Sequence, residues 1–468
     1  MKSTIKNICC IGAGYVGGPS MTVMAERCPN IQFNVVDKNI KRINDWNSKN
    51  LNDLPIYEPG LSEIINKCRG KNLHFSNQVE SRISEADIIF ISVNTPTKKK
   101  GLGAGQASDL RWIESCSRQI ALHAKGHTIV VEKSTLPVRT AQTIKSILDA
   151  YQTKDRADST KIKSFSILSN PEFLAEGTAI DDLLNPDRVL IGGEEQESIN
   201  ILKNIYLNWV SDSKILTTDL WSSELSKLIA NAFLAQRISS INSVSALCEN
   251  TEANINDVAK AVGMDSRVGE YFLNAGPGFG GSCFKKDISN LIYICNHYGL
   301  YEVASYWEQV IAINLWQQKR ITSIIVNKLY GTITGKKIAI LGFAFKSNTN
   351  DTRESPAINI CRDLLEEGCI LSIYDPKVNK NQIDNDLSFK CDSDKTWEVN
   401  KSVLSAVKDA DAIIFLTEWE EFFHLEFAKI YDLMRPPCWV FDTRNIINVN
   451  ELKKIGFNVW KLGDGSLN

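Results

Sequence analysis

The sequence predicts an α/β protein: two doubly wound parallel sheets joined by a central helical domain that carries one long helix. Near the N-terminus a short apolar strand runs straight into Gly-x-Gly-x-x-Gly, then into a helix and a second strand ending in Asp37. From about Gly335 the same order of strand, glycine, helix, strand and aspartate restarts. Between Trp221 and about Leu329 the apolar residues fall at helical spacing, with few glycines outside one loop. A chain of 468 residues exceeds what one hydrophobic core supports, and these patterns divide it at 1–212, 213–328 and 329–468.

Apolar content of 43% and charged content of 23% are those of an ordinary globular protein. A formal net charge of -2 argues against a nucleic-acid or polyanion binder, though local basic pockets for phosphate remain open. No run of eighteen apolar residues is present, so no membrane span is expected. The apolar run at the N-terminus is too short for a signal peptide and ends in glycines. The twelve cysteines are scattered, without CxxC pairs or zinc spacing. Reduced thiols in a cytoplasmic, metal-free protein are the simplest expectation.

In the first unit, Lys6–Ile11 reads as a buried strand, Pro19–Arg27 as a helix and Gln32–Asp37 as the next strand. The loop Gly12-Ala13-Gly14-Tyr15-Val16-Gly17 between them is a Rossmann-type fingerprint. Gly12 permits the tight turn, Gly14 lets a pyrophosphate reach the backbone, and Gly17 lets helix and strand pack closely. The helix N-terminus then faces the phosphates. Asp37 is placed to bind a ribose 2′-hydroxyl and repel a 2′-phosphate, which favours NAD over NADP. Arg42 either weakens that preference slightly or lies along the adenine.

Glu85–Thr97 reads as a buried strand leading into a polar loop, and ligands sit at the carboxyl ends of strands in such sheets. Val93, Asn94, Thr95, Pro96 and Thr97 are therefore expected to border the cofactor. Lys98–Gly105 reads as a solvated mobile loop rather than a phosphate clamp. Thr128–Thr135 repeats the pattern, with Ser134 and Thr135 at a strand end, and Ser166–Glu176 repeats it again. If the segment after Pro171 is helical, Glu172 and Glu176 share a face. A carboxylate there serves as general acid or base beside a nicotinamide, or the two acids only complement a helix dipole. Val189–Gly193 reads as the last strand of this sheet.

Glu224–Glu249 reads as the long helix, with Lys227 and Asn231 one turn apart, either on a solvent stripe or in a site. Asn274–Asp287 holds four glycines within six positions, then Cys283, Lys285, Lys286 and Asp287. Such a loop lets a ligand approach the main chain. Converging amides and two lysines favour a thiolate nucleophile at Cys283. The alternative is a mobile surface loop with a chance cysteine. In the second unit, Gly342-Phe-Ala-Phe-Lys346 lacks the triple glycine and suits a nucleotide without nicotinamide. Lys346, Arg353 and Arg444 are the cations at that sheet's ligand edge.

Taken together, Gly12–Gly17, Val93–Thr97, Glu132–Thr135, Asn170–Glu176, Glu224–Lys227, Phe279–Cys283 and Gly342–Lys346 resemble the UDP-glucose/GDP-mannose dehydrogenase family, on the side of its eukaryotic members. The resemblance spans Lys6 to about Gly463. It implies NAD-dependent four-electron oxidation of UDP-glucose to UDP-glucuronate, two NAD per sugar, through a Cys283 thiohemiacetal and thioester. It implies that Lys227, Asn231 and Asp287 surround the cysteine, that Glu172 is the acid/base and that Thr135 positions water. Glu176 and Arg353 match cofactor contacts. The backbone around Phe173, Leu174 and Ala175 matches sugar-nucleotide contacts, as do Asn274, Ala275, Gly276, Pro277, Gly278, Phe279 and Gly280. Phe345, Lys346 and Arg444 match contacts to the uridine diphosphate sugar, and Arg267 matches a residue that reaches a neighbouring subunit's substrate. Asn274 stands where animal members often carry lysine, and Gly276-Pro277 are unusual neighbours. The family also implies a homo-oligomer, dimer or hexamer, and feedback inhibition by UDP-xylose. Two other readings stay open: a sibling enzyme acting on GDP-mannose or an N-acetylated UDP-hexosamine, and a non-catalytic nucleotide sensor.

Overall fold

The structure, a computed structural model, describes residues 5–134, 140–155, 163–388 and 396–467. The chain divides into two compact units, Met1–Ala230 with Ser289–Ile294 and Asn231–Ile288 with Cys295–Asn468.

The first unit is built on an eight-stranded sheet: β1 Asn7–Ile11, β2 Gln32–Val36, β3 Leu73–Ser76, β4 Ile88–Ile91, β5 His127–Glu132, β6 Ser164–Ser169, β7 Val189–Gly193 and β8 Ile215–Thr218. Its strand order is β3-β2-β1-β4-β5-β6-β7-β8. All neighbours are parallel except β6 and β7, which pair antiparallel through Leu168 and Gly193. Successive side chains alternate between two cores: Ile8 and Cys10 enter one, Cys9 and Ile11 the other. A strand buried on both faces needs an unbroken apolar run, which is why β1 and β4 read clearly in the sequence. The sequence reading ended the sheet at Val189–Gly193, but Ile215–Thr218 adds an edge strand. Two of its four residues are exposed, so it carries no apolar run to announce it. Between β3 and β4 the chain crosses to the other side of β1, and this reversal opens a crevice at the carboxyl ends of β1 and β4.

The second unit repeats the plan in six parallel strands: β9 Lys337–Leu341, β10 Ile370–Tyr374, β11 Trp397–Val399, β12 Ala412–Phe415, β13 Trp439–Asp442 and β14 Asn458–Lys461, in the order β11-β10-β9-β12-β13-β14. The repeat extends to single hydrogen bonds. Gly12 N–H donates to the Val36 carbonyl at 2.8 Å, and Gly342 N–H donates to the Tyr374 carbonyl at 2.8 Å. Both glycines have positive φ, +112° and +93°. A Cβ at Gly12 would lie 2.3 Å from the Ser92 carbonyl oxygen, and one at Gly342 would lie 2.4 Å from Thr417 Cβ. The first strand of each sheet therefore ends in a glycine for conformation and for space alike.

The long helix is Leu220–Asn250, 31 residues. Phe284–His297 and Tyr301–Lys328 follow it. No helix among the described residues is long and apolar enough to cross a membrane.

Candidate active site

The glycine loop of the first unit stands at the crevice. Gly12, Ala13 and Gly17 are buried, while Gly14, Tyr15 and Val16 form its partly open lip. Gly17 begins the helix Gly17–Arg27. A Cβ at Gly14 would meet no atom within 4 Å, so the loop is open to a ligand on that side. Ala13 N–H donates to Asp37 Oδ2 at 3.0 Å, which brings the carboxylate at the end of β2 beside the loop. The Ser134 hydroxyl donates to the Val93 carbonyl at 2.8 Å and ties the Val93–Thr97 segment to the end of β5. These residues fit a dinucleotide: a bare backbone for the pyrophosphate, a helix N-terminus and a ribose-binding acid. Lys98–Gly105 is closed on itself, with Gly105 N–H donating to the Lys98 carbonyl at 2.8 Å. Thr135 lies outside the described residues.

Arg42 does not extend away from the acid. It pairs with Asp37 at 3.1 Å. Replacing Asp37 by serine releases this cation and removes the charge that repels a 2′-phosphate. The preference for NAD over NADP in kcat/KM is expected to fall at least about tenfold in Asp37→Ser. An unchanged ratio would mean that another residue reads the ribose.

Glu172 and Glu176 do not share a helix face. Residues 171–175 adopt no regular structure, and the helix begins at Ala179. Side chains take the amides that a helix would need. Phe173 N–H donates to Glu172 Oε1 at 2.9 Å, Ala175 N–H to Asp182 at 2.8 Å, and Gly177 N–H to Glu58 at 2.8 Å. Such local bonds compete directly with helix formation. The loop instead delivers Glu172 to Lys133, an ion pair of 2.8 Å. Burial pushes the Glu172 carboxyl up, but the charges of Lys133 and then Lys227 outweigh it and hold it below the ordinary range. The stability this contributes is present above about pH 4.3 and is lost as pH falls through the depressed folded value. Acid-induced unfolding should therefore steepen less below about pH 4 in Glu172→Gln than in the parent. Equal slopes in a pH series of urea melts would contradict the assignment.

Lys227 and Asn231 are both buried, so they are not a solvent stripe. Lys227 Nζ lies 5.1 Å from the centre of the Phe173 ring, whose other cation is Arg188 at 3.9 Å. Glu224, three residues before Lys227, accepts the Ala141 N–H at 2.8 Å. Burial first, and the Glu224 charge second, push the Glu132 carboxyl well above its ordinary range.

In the second unit the cysteine loop is not mobile surface. Ala275 to Gly281 are buried, and Asn274 before them is exposed. The amide of Asn314 bonds both faces of Phe279: Phe279 N–H donates to Oδ1 at 2.8 Å, and Nδ2 donates back to the Phe279 carbonyl at 3.1 Å. Gly276 N–H donates to Asn242 at 2.8 Å, and Gln317 donates to the Gly276 carbonyl at 3.0 Å. Gly278 is required here: its φ is +131°, and a Cβ would lie 2.5 Å from Asn314 Oδ1. Gly281 N–H donates to the Arg353 carbonyl at 2.8 Å. At the end of this braced segment stands Cys283, which is exposed and immediately precedes the helix Phe284–His297. One turn into that helix, buried Asp287 accepts from Asn231 Nδ2 at 2.6 Å. Asp287 N–H donates to the Cys283 carbonyl at 2.8 Å, so one turn past the cysteine stands an acid held by an amide from the long helix.

The second sheet's ligand edge differs from the first in its aspartate. Asp375 accepts from Phe343 and Ala344 N–H, from Trp419 Nε1–H, and from Lys377 and Val378 N–H. Asp375 is buried and its oxygens are engaged by the loop itself, so it shapes the turn, whereas Asp37 is half-buried and accepts from Ala13 N–H, Asn39 N–H and the Arg42 guanidinium. Phe345 and Lys346 are half-buried, with Lys346 Nζ 5.7 Å from the Phe345 ring centre. Arg444 is held across the strand ends by the Leu416 carbonyl at 2.8 Å, the Phe345 carbonyl at 3.1 Å and Glu418 at 3.1 Å. Arg353 is clamped to Asp351 at 2.6 Å, and Arg267 is 87% exposed and paired with Asp265 at 2.6 Å.

The sequence reading gave no role to Lys133 or to the amides Asn242, Asn314 and Gln317. Their one signal was polarity inside apolar, periodic stretches.

Family models described as UDP-glucose/GDP-mannose dehydrogenase family match three stretches: the NAD binding domain at residues 6–210, the central domain at 221–316 and the UDP binding domain at 339–449. UDP-glucose 6-dehydrogenase 4 of Arabidopsis thaliana is 55% identical, over 97% of this chain and 96% of its own length. UDP-glucose 6-dehydrogenase of Drosophila melanogaster is 54% identical over the same shares. The solved UDP-glucose dehydrogenase of the hyperthermophilic archaeon Pyrobaculum islandicum superposes over 99% of this chain and 98% of its own, with a TM-score of 0.83 and 26% identity. On its three matched domains and its full-length relatives, the chain belongs to the UDP-glucose/GDP-mannose dehydrogenase family.

Proposed function

We propose that this chain oxidises UDP-glucose to UDP-glucuronate with NAD through a covalent bond to Cys283. One observation carries the covalent step: of the eleven cysteines among the described residues, ten are buried and Cys283 is exposed, at the head of a helix on a braced glycine loop. Elsewhere burial makes thiols inert, as at Cys10, which it pushes up to about 12. The names of the full-length relatives and the UDP binding domain at 339–449 support the substrate.

Turning a primary alcohol into an acid removes two hydrides, and NAD, when bound, accepts one at each oxidation. In the first, Glu172 takes the hydroxyl proton as the aldehyde forms. Cys283 Sγ then bonds to the aldehyde carbon, and the Lys227 ammonium stabilises the oxygen that becomes anionic. The tetrahedral thiohemiacetal presents the C–H that the second oxidation breaks, leaving a thioester. Water attacks the thioester, with Thr135 orienting it and Glu172 and Asp287 moving its protons. The C–S bond breaks to release a carboxylate and a free thiol. Phe345, Lys346 and Arg444 hold the uridine diphosphate, Arg353 contacts cofactor, and Arg267 serves a neighbouring subunit in a dimer or hexamer open to UDP-xylose inhibition. The segments 1–212, 213–328 and 329–468 divide cofactor, cysteine and sugar nucleotide among them.

The test is NADH absorbance on mixing enzyme, NAD and UDP-glucose, with GDP-mannose and N-acetylated UDP-hexosamines as parallel arms. Two NADH per UDP-glucose is the expected yield. Silence with every sugar would favour a nucleotide sensor, and one NADH per sugar with aldehyde release would remove the thioester.

A further inference from the structure

Lys133 is a lysine with 2% of its surface exposed, at the end of β5. Its ammonium has three protons and meets three side-chain oxygens: Glu172 Oε2 at 2.8 Å, Asn170 Oδ1 at 3.1 Å and the Tyr206 hydroxyl at 3.2 Å. The partners are themselves anchored. Tyr206 O–H donates to Asn170 Oδ1 at 2.6 Å, and Asn170 Nδ2 donates to the Leu190 carbonyl at 2.8 Å. The ends of β5 and β6, strand β7 and the helix Gln196–Tyr206 therefore converge on one ammonium, all within the first unit. Glu172 sits on a loop without regular structure, and its own anchors are few. Oε1 accepts the Phe173 N–H at 2.9 Å, and Oε2 accepts from the Ser20 hydroxyl at 3.3 Å and from Lys133.

We propose that Lys133 is the positioning residue for Glu172: its buried ammonium fixes Oε2 in place and keeps the carboxylate ionised across the working pH range, so that Oε1 takes and returns the proton. The proposal rests on the reading of Glu172 as the acid–base group. The other charged or titratable groups around Glu172 are Lys227 from the long helix, Tyr206 from the helix Gln196–Tyr206, and Arg188, which reaches it only through the Phe173 ring. Ser20, from the helix after the glycine loop, is neutral. Burial works against the charge of Lys133, and the Glu172 carboxylate overrides it, so the ammonium persists at every working pH. Lys227 is left to act on the substrate oxygen, because a second cation holds the acid.

The experiment compares Lys133→Met, Lys133→Arg and Glu172→Gln in the full-length enzyme with NAD and UDP-glucose. In Lys133→Met the acid limb of the kcat/KM profile is expected to move up by about 1–3 pH units, and kcat at neutral pH to fall more than KM rises. Lys133→Arg, which keeps a cation, is expected to return the limb towards the parent position. An active Lys133→Met enzyme in which neither the limb nor the Glu172 carboxyl titration moves overturns the proposal. Carbon-13 NMR of labelled glutamate carboxyls, with the Glu172 signal assigned by its loss in Glu172→Gln, reads the ionisation directly. In the parent enzyme that signal is expected to titrate below the ordinary glutamate range, and a carboxyl still protonated near neutrality overturns the proposal even if Lys133→Met does not fold. If the NMR titration moves in Lys133→Met but the kinetic limb does not, the acid–base reading of Glu172 fails and the positioning of its carboxylate by Lys133 stands; an unmoved limb together with an unmoved titration counts against Lys133 itself.

Discussion

Cys283→Ser is expected to turn over UDP-glucose at least about a thousandfold more slowly than the parent enzyme. The substitution changes one atom in a residue that is exposed at the head of Phe284–His297, so packing is little disturbed. The loop before it is braced by Asn242, Asn314 and Gln317 through backbone groups that the change does not touch. Binding of NAD and of UDP-glucose should therefore survive. A serine hydroxyl is a far weaker nucleophile than a thiolate, so the reaction halts at or before the acyl stage. Stopped-flow NADH absorbance measures this. Steady turnover at a rate near that of the parent would end the covalent mechanism.

Gly17→Ala is expected to weaken NAD binding at least about a hundredfold and to cost about 3 kcal/mol of stability. The added Cβ would lie 2.0 Å from the Gly12 carbonyl oxygen, 3.0 Å from Cys10 Sγ and 3.0 Å from Ser92 Cβ. The first of these is backbone at a strand end, and the others sit in a packed interior, so none yields as a flexible side-chain tip does. The helix Gly17–Arg27 must instead back away from β1 and β4. That movement pulls its amides from the pyrophosphate and loosens Gly12 at once. Calorimetric titration with NAD and a thermal melt read the two effects. Parent-like affinity would show that the helix does not need this close approach.

Much of the fold was legible because its signals are local. An apolar run, a glycine and an acid at the next strand end are fixed by neighbours a few residues away, and they recur at Gly12 with Asp37 and at Gly342 with Asp375. The cysteine loop was legible for the same reason: its four glycines precede Cys283 directly. The sequence could not show that Asp375 is buried within its own loop while Asp37 is only half-buried and pairs with the exposed Arg42. Both read alike, and what separates them is that Asp375 accepts from Trp419 and four backbone amides, while Asp37 accepts from two amides and Arg42. Nor could it show that the segment from Pro171 is not a helix, since the competing carboxylate at Gly177 comes from Glu58.

By itself, then, the sequence determined the α/β class, the two nucleotide-binding plans and the position of the candidate nucleophile, because periodicity and spacing carry that information along the chain. Only the tertiary structure decided which polar groups meet. Lys133 finds Glu172, Asn170 and Tyr206, and Asn314 finds Phe279. The physical reason is that burying a charge or an amide demands partners, and folding draws those partners from strands and helices far apart in sequence.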